Sequence, residues 1–302
     1  MSAKIVVVGS FNADLVTYLP RLPKPGETLS GKRFVTGPGG KGSNQAVAAA
    51  RLGAQVTFIG RVGKDTLSEM AYSLWRQENI QTQHVRQDEV HSTGVAIILV
   101  EESGENVIVV TLGANLAISR SDIDLAAETI AHANVLMTQL EIDHEIAAYA
   151  LQTARAKGVR TILNPAPAVK LPPQVTALAD FITPNETELL IVAGEKDAGQ
   201  AAAALLQSEQ QTVVMTLGER GARWVNRTGS SIVPAYRVEA VDTVGAGDAF
   251  NAGLAVALAE GKTLPEAILF ANAAAALCVT RHGAAASMPY RHEVETFITT
   301  RK

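Results

Sequence analysis

Apolar and polar positions along this chain alternate between two rhythms. Short runs of β-branched and aliphatic residues, which suit strands buried on both faces, recur between longer stretches where apolar residues return every three or four positions, as in amphipathic helices. Residues 4–9, 56–60, 134–139, 161–163, 181–182 and 212–215 belong to the first kind. Residues 66–78, 143–157, a stretch from about Glu186, one near 200–206 and an alanine-rich run at 251–259 that stops before Gly261 belong to the second. Strands separated by helices predict an α/β fold, a doubly wound and mainly parallel sheet flanked by helices. No internal repeat or low-complexity segment interrupts it.

Four stretches depart from that rhythm. Residues 15–19, 28–36, 92–100 and 107–112 carry alternating or β-branched patterns between Gly- and Pro-marked turns, which predicts a small antiparallel sheet. It would be built from two excursions, residues 14–36 and 91–112, out of a single domain spanning 1–302. Pro20, Pro23 and Pro25 stiffen the turn within the first excursion. A sheet with one face over a site acts as a lid that excludes water. Its other face is a surface for pairing with a second subunit.

Composition narrows the partners. A chain of 302 residues with 47% apolar and 19% charged residues can bury a large core. The formal charge of -4 supplies no basic field for nucleic acid or an anionic membrane, so a small molecule is the expected partner. Cys278 is the one cysteine, which excludes an internal disulfide and a cysteine-built metal site and fits a reducing compartment. Its neighbours Ala276, Leu277 and Val279 mark it as a packing residue. The apolar run at residues 5–8 is too short for a signal peptide, and no run reaches membrane-spanning length. The expected location is the cytoplasm.

The chemistry concentrates in Asp242-Thr243-Val244-Gly245-Ala246-Gly247-Asp248. Gly245 and Gly247 permit a tight turn whose N–H groups point one way, ahead of a helix whose positive end faces the same place. Such a turn holds an anion, most often a phosphate. Asp248 beside it reads equally well as a helix cap or as a base acting next to the phosphate. Asp242 adds a second carboxylate at the other end of the loop.

Gly37-Pro38-Gly39-Gly40-Lys41-Gly42-Ser43-Asn44-Gln45 opens a second helix, expected to run to Gly53. So many glycines point to close approach of a ligand to the backbone. The run fails the Walker A spacing, since position 35 is Val and Gly42 follows Lys41, and 261–263 fails too, with Val256 in the first glycine's place. Asn12 and Asp14 follow the first strand, where open α/β sheets bind ligands, and either read as sugar-hydroxyl contacts or as an Asx turn. Glu141, Asn164 and Thr216 also fall at strand ends; singly each reads as a turn residue, together they mark a crevice. Asn185 with Glu188 matches a capping box, and equally a second shell around hydrated Mg²⁺.

Five of these stretches, residues 10–14, 39–46, 164–167, 183–188 and 242–248, taken in order, resemble motifs of the ribokinases in the PfkB carbohydrate kinase family. The resemblance covers nearly the whole chain and implies a ribokinase-like fold with the small sheet as lid. It implies ATP-dependent phosphorylation of D-ribose at its 5-hydroxyl. Asp248 would be the base and Gly245, Ala246 and Gly247 the anion hole. Asn12, Asp14, Gly40, Lys41, Asn44 and Glu141 match the sugar contacts. Asn185, Thr216, Gly218, Gly221, Gly247 and Asn272 match nucleotide-side positions, and Glu188 the position associated with Mg²⁺.

Asp242, Val244, Cys278, Arg281, Gly283 and Ser287 match a monovalent-cation site, implying activation by K⁺. A plain turn role is the minority alternative for Asp242. The short lid suits a homodimer paired through it. Alternatives are a kinase for deoxyribose or another pentose, or a non-catalytic sugar-binding regulator.

Overall fold

A computed structural model describes residues 2–301. The first strands are β1 (Lys4–Val8), β2 (Asn12–Leu19) and β3 (Arg33–Gly39), followed by helix α1 (Lys41–Arg51). Next come β4 (Gln55–Gly63), α2 (Thr66–Gln77), β5 (Gln81–Asp88), β6 (Gly94–Glu101), β7 (Asn106–Thr111), α3 (Arg120–Leu125) and α4 (Ala127–Ala131). The middle of the chain forms β8 (Val135–Thr138), α5 (His144–Ala156), β9 (Arg160–Leu163), α6 (Pro173–Thr176), β10 (Phe181–Ile182), α7 (Glu186–Ala193) and α8 (Ala198–Leu205). The last elements are β11 (Thr212–Thr216), β12 (Ala222–Asn226), β13 (Gly229–Val233), α9 (Ala246–Ala259), α10 (Leu264–Cys278) and α11 (Arg291–Thr300).

The nine-stranded main sheet runs β13-β12-β11-β10-β9-β8-β1-β4-β5. It is parallel from β11 to β5, and only β12 and β13 pair antiparallel. In β1, Ile5 and Val7 enter one buried cluster with α1, α2, α9, α10 and α11, while Val6 and Val8 enter another with α3 to α8. Burial on both faces is why the strand reads as a continuous apolar run.

From β1 the chain moves to β4 on one side and returns to β8 on the other. This reversal opens a crevice beyond the carboxyl ends of β1 and β8, the place where doubly wound sheets bind ligands.

The small sheet has the order β3-β2-β6-β7. Its outer pairings are antiparallel as expected, but the central pair, β2 with β6, is parallel from Asn12↔Gly94 to Leu19↔Glu101. The cause is topological: β2 follows β1 and β6 follows β5, two parallel strands that deliver the chain to the same edge of the main sheet. Asn12–Leu19 and Arg33–Gly39 overrun the expected first excursion, 14–36, at both ends, residues 28–32 form no strand, and Gly94–Glu101 and Asn106–Thr111 lie within the second, 91–112. All six residues of β7 are exposed.

Several elements escape the apolar pattern. The edge strand β5, with sequence QTQHVRQD, is too polar to announce itself, as is the β12–β13 hairpin, whereas α10, LPEAILFANAAAALC, is apolar nearly all round and so shows no helical period. Helix α9 begins at Ala246 rather than near Asn251, which brings Gly247 and Asp248 into its first turn. No helix among the described residues is long and apolar enough to cross a membrane.

Candidate active site

Glu141, just past β8, crosses the crevice to the turn after β1. Its Oε2 accepts hydrogen bonds from the Ser10 hydroxyl (2.5 Å), Asn12 Nδ2 (3.3 Å) and the backbone N–H of Lys41 at the start of α1 (2.9 Å). Asn115 braces the same turn from the root of the lid, its Nδ2 donating to the carbonyl of Phe11 and to Asn12 Oδ1, both at 2.9 Å.

The glycines before α1 have a reason other than ligand approach. Gly40 has φ 86°, and a Cβ there would lie 2.6 Å from the Asn12 nitrogen. At Gly42 a Cβ would lie 2.5 Å from the nitrogen of Ser10. At Gly40 and Gly42 the chain's own backbone passes close enough to demand glycine, a reason that stands beside the expected approach of a ligand. The loop is thereby pressed against the β1–β2 turn.

Asp14 stands half-buried beside this cluster. Burial first, and the neighbouring Glu141 carboxylate second, push its pKa up to about 7. Lys41 is held oppositely. Burial disfavours its ammonium, but the carboxylates of Asp248, Glu141 and Glu188 outweigh this and raise its pKa above the ordinary lysine value.

Asp248 is the third residue of α9 and not its cap. The cap is Gly245, φ 81°, which makes no side-chain capping bond. The Asp248 side chain turns instead to α1, where Oδ2 accepts from Asn44 Nδ2 (3.0 Å) and Oδ1 from Gln45 Nε2 (3.1 Å). It is only 5% exposed. Burial raises its pKa to about 6, against the opposing pull of Lys41 and the two amides. Among the described residues no protein acceptor takes the N–H groups of Gly247 or Asp248, and nothing lies within 4 Å of where a Gly247 Cβ would sit. A buried carboxylate with a raised pKa therefore stands beside unpaired amides at a positive helix end.

The nucleotide-side positions gather at the ends of β10 and β11. Asn185 forms an isolated parallel bridge with Thr216, and the Thr216 N–H donates to Pro184 (2.9 Å). Gly218 and Gly221, with φ 59° and 98°, shape the turn that follows. The capping box expected at Asn185 and Glu188 is present, with two reciprocal bonds of 2.8 Å. It occupies only Oε2 of Glu188, whose pKa is raised mainly by burial. Asn272 is buried and spends both amide hydrogens on the carbonyls of Val233 and Pro234 (3.0 Å each). It ties α10 to the end of β13.

Five of the six residues matched to a monovalent-cation site meet behind the α9 loop. Asp242 accepts from the N–H groups of Val244 (3.0 Å) and Gly283 (2.9 Å). The Cys278 thiol donates to the Val244 carbonyl (3.8 Å) and touches the Ser287 hydroxyl (3.0 Å). Cys278 is thus buried as expected, but it also fixes the loop. The Arg281 side chain points away, to Glu293 (2.6 Å), so it reaches this cluster only through its backbone. No group of three or more His, Cys, Asp or Glu among the described residues is placed to hold a metal ion.

Sequence patterns passed over Gln45, Asn115, Thr183 and Asn251 as site residues. Gln45 and Asn251 did leave a signal: each is an amide beside an otherwise apolar, alanine-rich helical run.

Comparison with known proteins agrees with this geometry. Residues 2–291 match the family described as pfkB family carbohydrate kinase. The chain is 43% identical to the ribokinase of Haemophilus influenzae over 99% of both chains. It is 38% identical to the deoxyribokinase of Salmonella typhi over 98% of both. The Arabidopsis thaliana ribokinase solved with ribose and ATP has a TM-score of 0.90 at 33% identity, covering 99% of both chains. The fold is ribokinase-like, and the chain belongs to the pfkB family of carbohydrate kinases.

Proposed function

We propose that this kinase transfers the γ-phosphoryl group of ATP to the 5-hydroxyl of D-ribose, giving D-ribose 5-phosphate and ADP. The observation that carries the reading is Asp248, whose carboxylate is held by Asn44 and Gln45 beside the open N-terminus of α9 instead of capping it. A carboxylate placed there takes a proton; a cap would have turned back to the helix.

Ribose lies in the crevice against Asn12, Asp14, Gly40, Lys41, Asn44 and Glu141, with its 5-hydroxyl toward Asp248. Asp248 accepts the hydroxyl proton as the oxygen bonds to the γ-phosphorus and the bond to the bridging oxygen of ADP breaks. The backbone of Gly245, Ala246 and Gly247, extended by the free N–H of Asp248, receives the charge on the transferring group. Asn185, Thr216, Gly218, Gly221, Gly247 and Asn272 line the nucleotide side, with Asn272 acting through the backbone it holds. The lid closes over the sugar and keeps water from the phosphoryl group.

An ATP-dependent kinase requires a divalent cation such as Mg²⁺, which neutralises phosphate charge as transfer proceeds. The free Oε1 of half-buried Glu188 suits a water on that ion. Behind the loop, the Asp242 carboxylate with backbone oxygens around Val244, Cys278, Arg281, Gly283 and Ser287 is a hard-oxygen set of low charge. That suits K⁺, which would offset Asp242 and stiffen the loop. The exposed apolar residues of β7 support a homodimer paired through the lid.

A deoxyribose kinase is the second reading, favoured by the deoxyribokinase relative. Asp14 speaks for ribose, because a missing hydroxyl leaves a buried carboxyl without its partner. The test is ADP release from ATP and Mg²⁺ with D-ribose, 2-deoxyribose, fructose or adenosine, each with and without K⁺. Fast turnover on ribose that rises with K⁺ and vanishes in Asp248→Asn is expected. Near-normal turnover in Asp248→Asn would sink the reading, and equal rates in Na⁺ and K⁺ would remove the cation site.

A further inference from the structure

Asp248 is fixed at two places, and the two are joined. Its carboxylate is fixed by Gln45, which is fully buried and whose Nε2 donates both to Asp248 Oδ1 and to Asn164 Oδ1, each at 3.1 Å. Asn164 in turn donates its Nδ2 to the backbone carbonyl of Thr183 (3.1 Å). On the other arm, the Thr183 hydroxyl donates to Asn251 Oδ1 (2.5 Å), and Asn251 Nδ2 donates to the carbonyl of Gly247 (2.8 Å). That carbonyl shares its peptide plane with the N–H of Asp248.

Every direction in this chain of bonds is forced. The carbonyls of Thr183 and Gly247 only accept, which orients both asparagine amides. Asn164 Oδ1 and the Asp248 carboxylate then require Gln45 to donate, and Gln45 Oε1 accepts from Gln139 Nε2 (2.6 Å). All six side chains, from Gln45 through Asn251, are under one-tenth exposed, so no solvent competes for these bonds. Thr183, directly after β10, is the joint: its carbonyl serves the base and its hydroxyl serves the anion hole.

We propose that Gln45, Asn164, Thr183 and Asn251 are positioning residues that hold the carboxylate of Asp248 and the backbone N–H of Asp248 in one mutual geometry. The proton acceptor for the sugar and the donor to the transferring phosphoryl are then set together. The proposal rests on the kinase reading above. It goes beyond that reading in assigning the alignment of the two reacting groups to a network that touches neither substrate.

The test uses the full chain and three variants. Thr183→Val removes the joining hydroxyl at nearly constant shape, Thr183→Ser restores it, and Gln45→Met removes the amide from the base arm. Thr183→Val is expected to lower kcat for ribose phosphorylation about tenfold, the cost of one lost positioning bond, with KM for ribose and for ATP within twofold. Thr183→Ser should recover kcat.

Gln45→Met should lower kcat similarly. It should also move the acid limb of the kcat–pH profile upward, because Asp248 loses a donor while still facing Lys41 and Glu141; Thr183→Val should leave that limb in place. A merely structural role would move neither the limb nor the kcat-to-KM split. If either variant fails to fold, as judged by its melting transition, the other carries the same test.

Unchanged kcat in a folded Thr183→Val or Gln45→Met, beside an active wild type silenced by Asp248→Asn, overturns the network and leaves the kinase reading standing. A wild type silent on every sugar overturns the reading, and the network with it.

Discussion

Replacing Asp248 with Asn should change stability in a way that reverses with pH. The Asp248 carboxyl has an ordinary pKa of 3.8 and a folded value raised to about 6, chiefly by burial. Below 3.8 it is neutral in both states and its burial carries no charge penalty. As pH rises the unfolded chain ionises first, so folding stability contributed by this group falls across the window from 3.8 to about 6 and stays lower above it. A rise of that size corresponds to about 3 kcal/mol. Asparagine does not titrate, so the variant escapes that fall. It has a fixed cost of its own, because its one oxygen serves only one of Asn44 and Gln45 and leaves the other donor unpaired, about 1–3 kcal/mol.

The variant should therefore be less stable than wild type near pH 4 and equal or more stable at pH 7.5. Urea unfolding of both proteins at half-unit pH intervals measures the difference directly, and titrating groups common to both cancel. A gap that stays constant within about 0.5 kcal/mol across the range would refute the reasoning. It would mean that Lys41 and the two amides offset burial completely. The same variant should lose about 10²- to 10⁴-fold in kcat above pH 6, with the gap narrowing below it as the wild-type carboxylate is protonated.

Asp14, raised to about 7 by burial and by Glu141, is protonated below that pH, and then one oxygen donates and the other accepts from a sugar hydroxyl more weakly than a carboxylate does. KM for ribose at saturating ATP should rise as pH falls through 7, and Glu141→Gln should move the inflection lower. Gly247→Ala should fold normally, since its Cβ meets nothing within 4 Å, yet lose turnover because the methyl stands in the anion hole. Gly42→Ala, whose Cβ would meet the Ser10 nitrogen at 2.5 Å, should instead lose stability, read as a lowered melting temperature. Val109→Lys on exposed β7 should shift sedimentation toward a monomer; an unchanged assembly would exclude pairing through this strand.

What could be read in the sequence was what local chemistry dictates. Strands such as β1, buried on both faces, declare themselves as unbroken apolar runs, and Asp242 to Asp248 declares a glycine-shaped turn leading into a helix. The parallel pairing of β2 with β6 could not be read, because it depends on which edge of the main sheet delivers each strand. The role of Asp248 was equally balanced in the sequence between cap and base. Two facts exclude the cap and support the proposed base: the helix starts at Ala246 with Gly245 as its cap, and Asn44 and Gln45 reach across from a helix some two hundred residues earlier. The glycines around the start of α1 were legible as close approach, and at Gly40 and Gly42 part of that approach is the chain's own turn at Ser10 and Asn12. Thr183 lies in the stretch 183–188 that the sequence marked, but its place as a joint could not be read there, since it rests on two bonds made in different directions.

The two helix ends that meet in this crevice divide the electrostatic work. Both α1 and α9 begin after a glycine with positive φ and without a side-chain cap, so each turns a positive end to the crevice, but at α1 the N–H groups of Gly42 and Ser43 are taken by the hydroxyl and carbonyl of Ser10. At α1 the Lys41 N–H is already taken by Glu141. That end is filled by a protein carboxylate, which is thereby fixed where a sugar hydroxyl would meet it. At α9 no carboxylate caps the turn, because Asp248 is drawn aside by Asn44 and Gln45. The end is therefore left open, as the proposed anion hole requires. Lys41 lies between the two, held charged by Glu141, Glu188 and Asp248, and carries positive charge from the filled end toward the open one. On the proposed mechanism a phosphoryl group entering the crevice would meet this open end, with Asp248 at its edge and its proton affinity already raised.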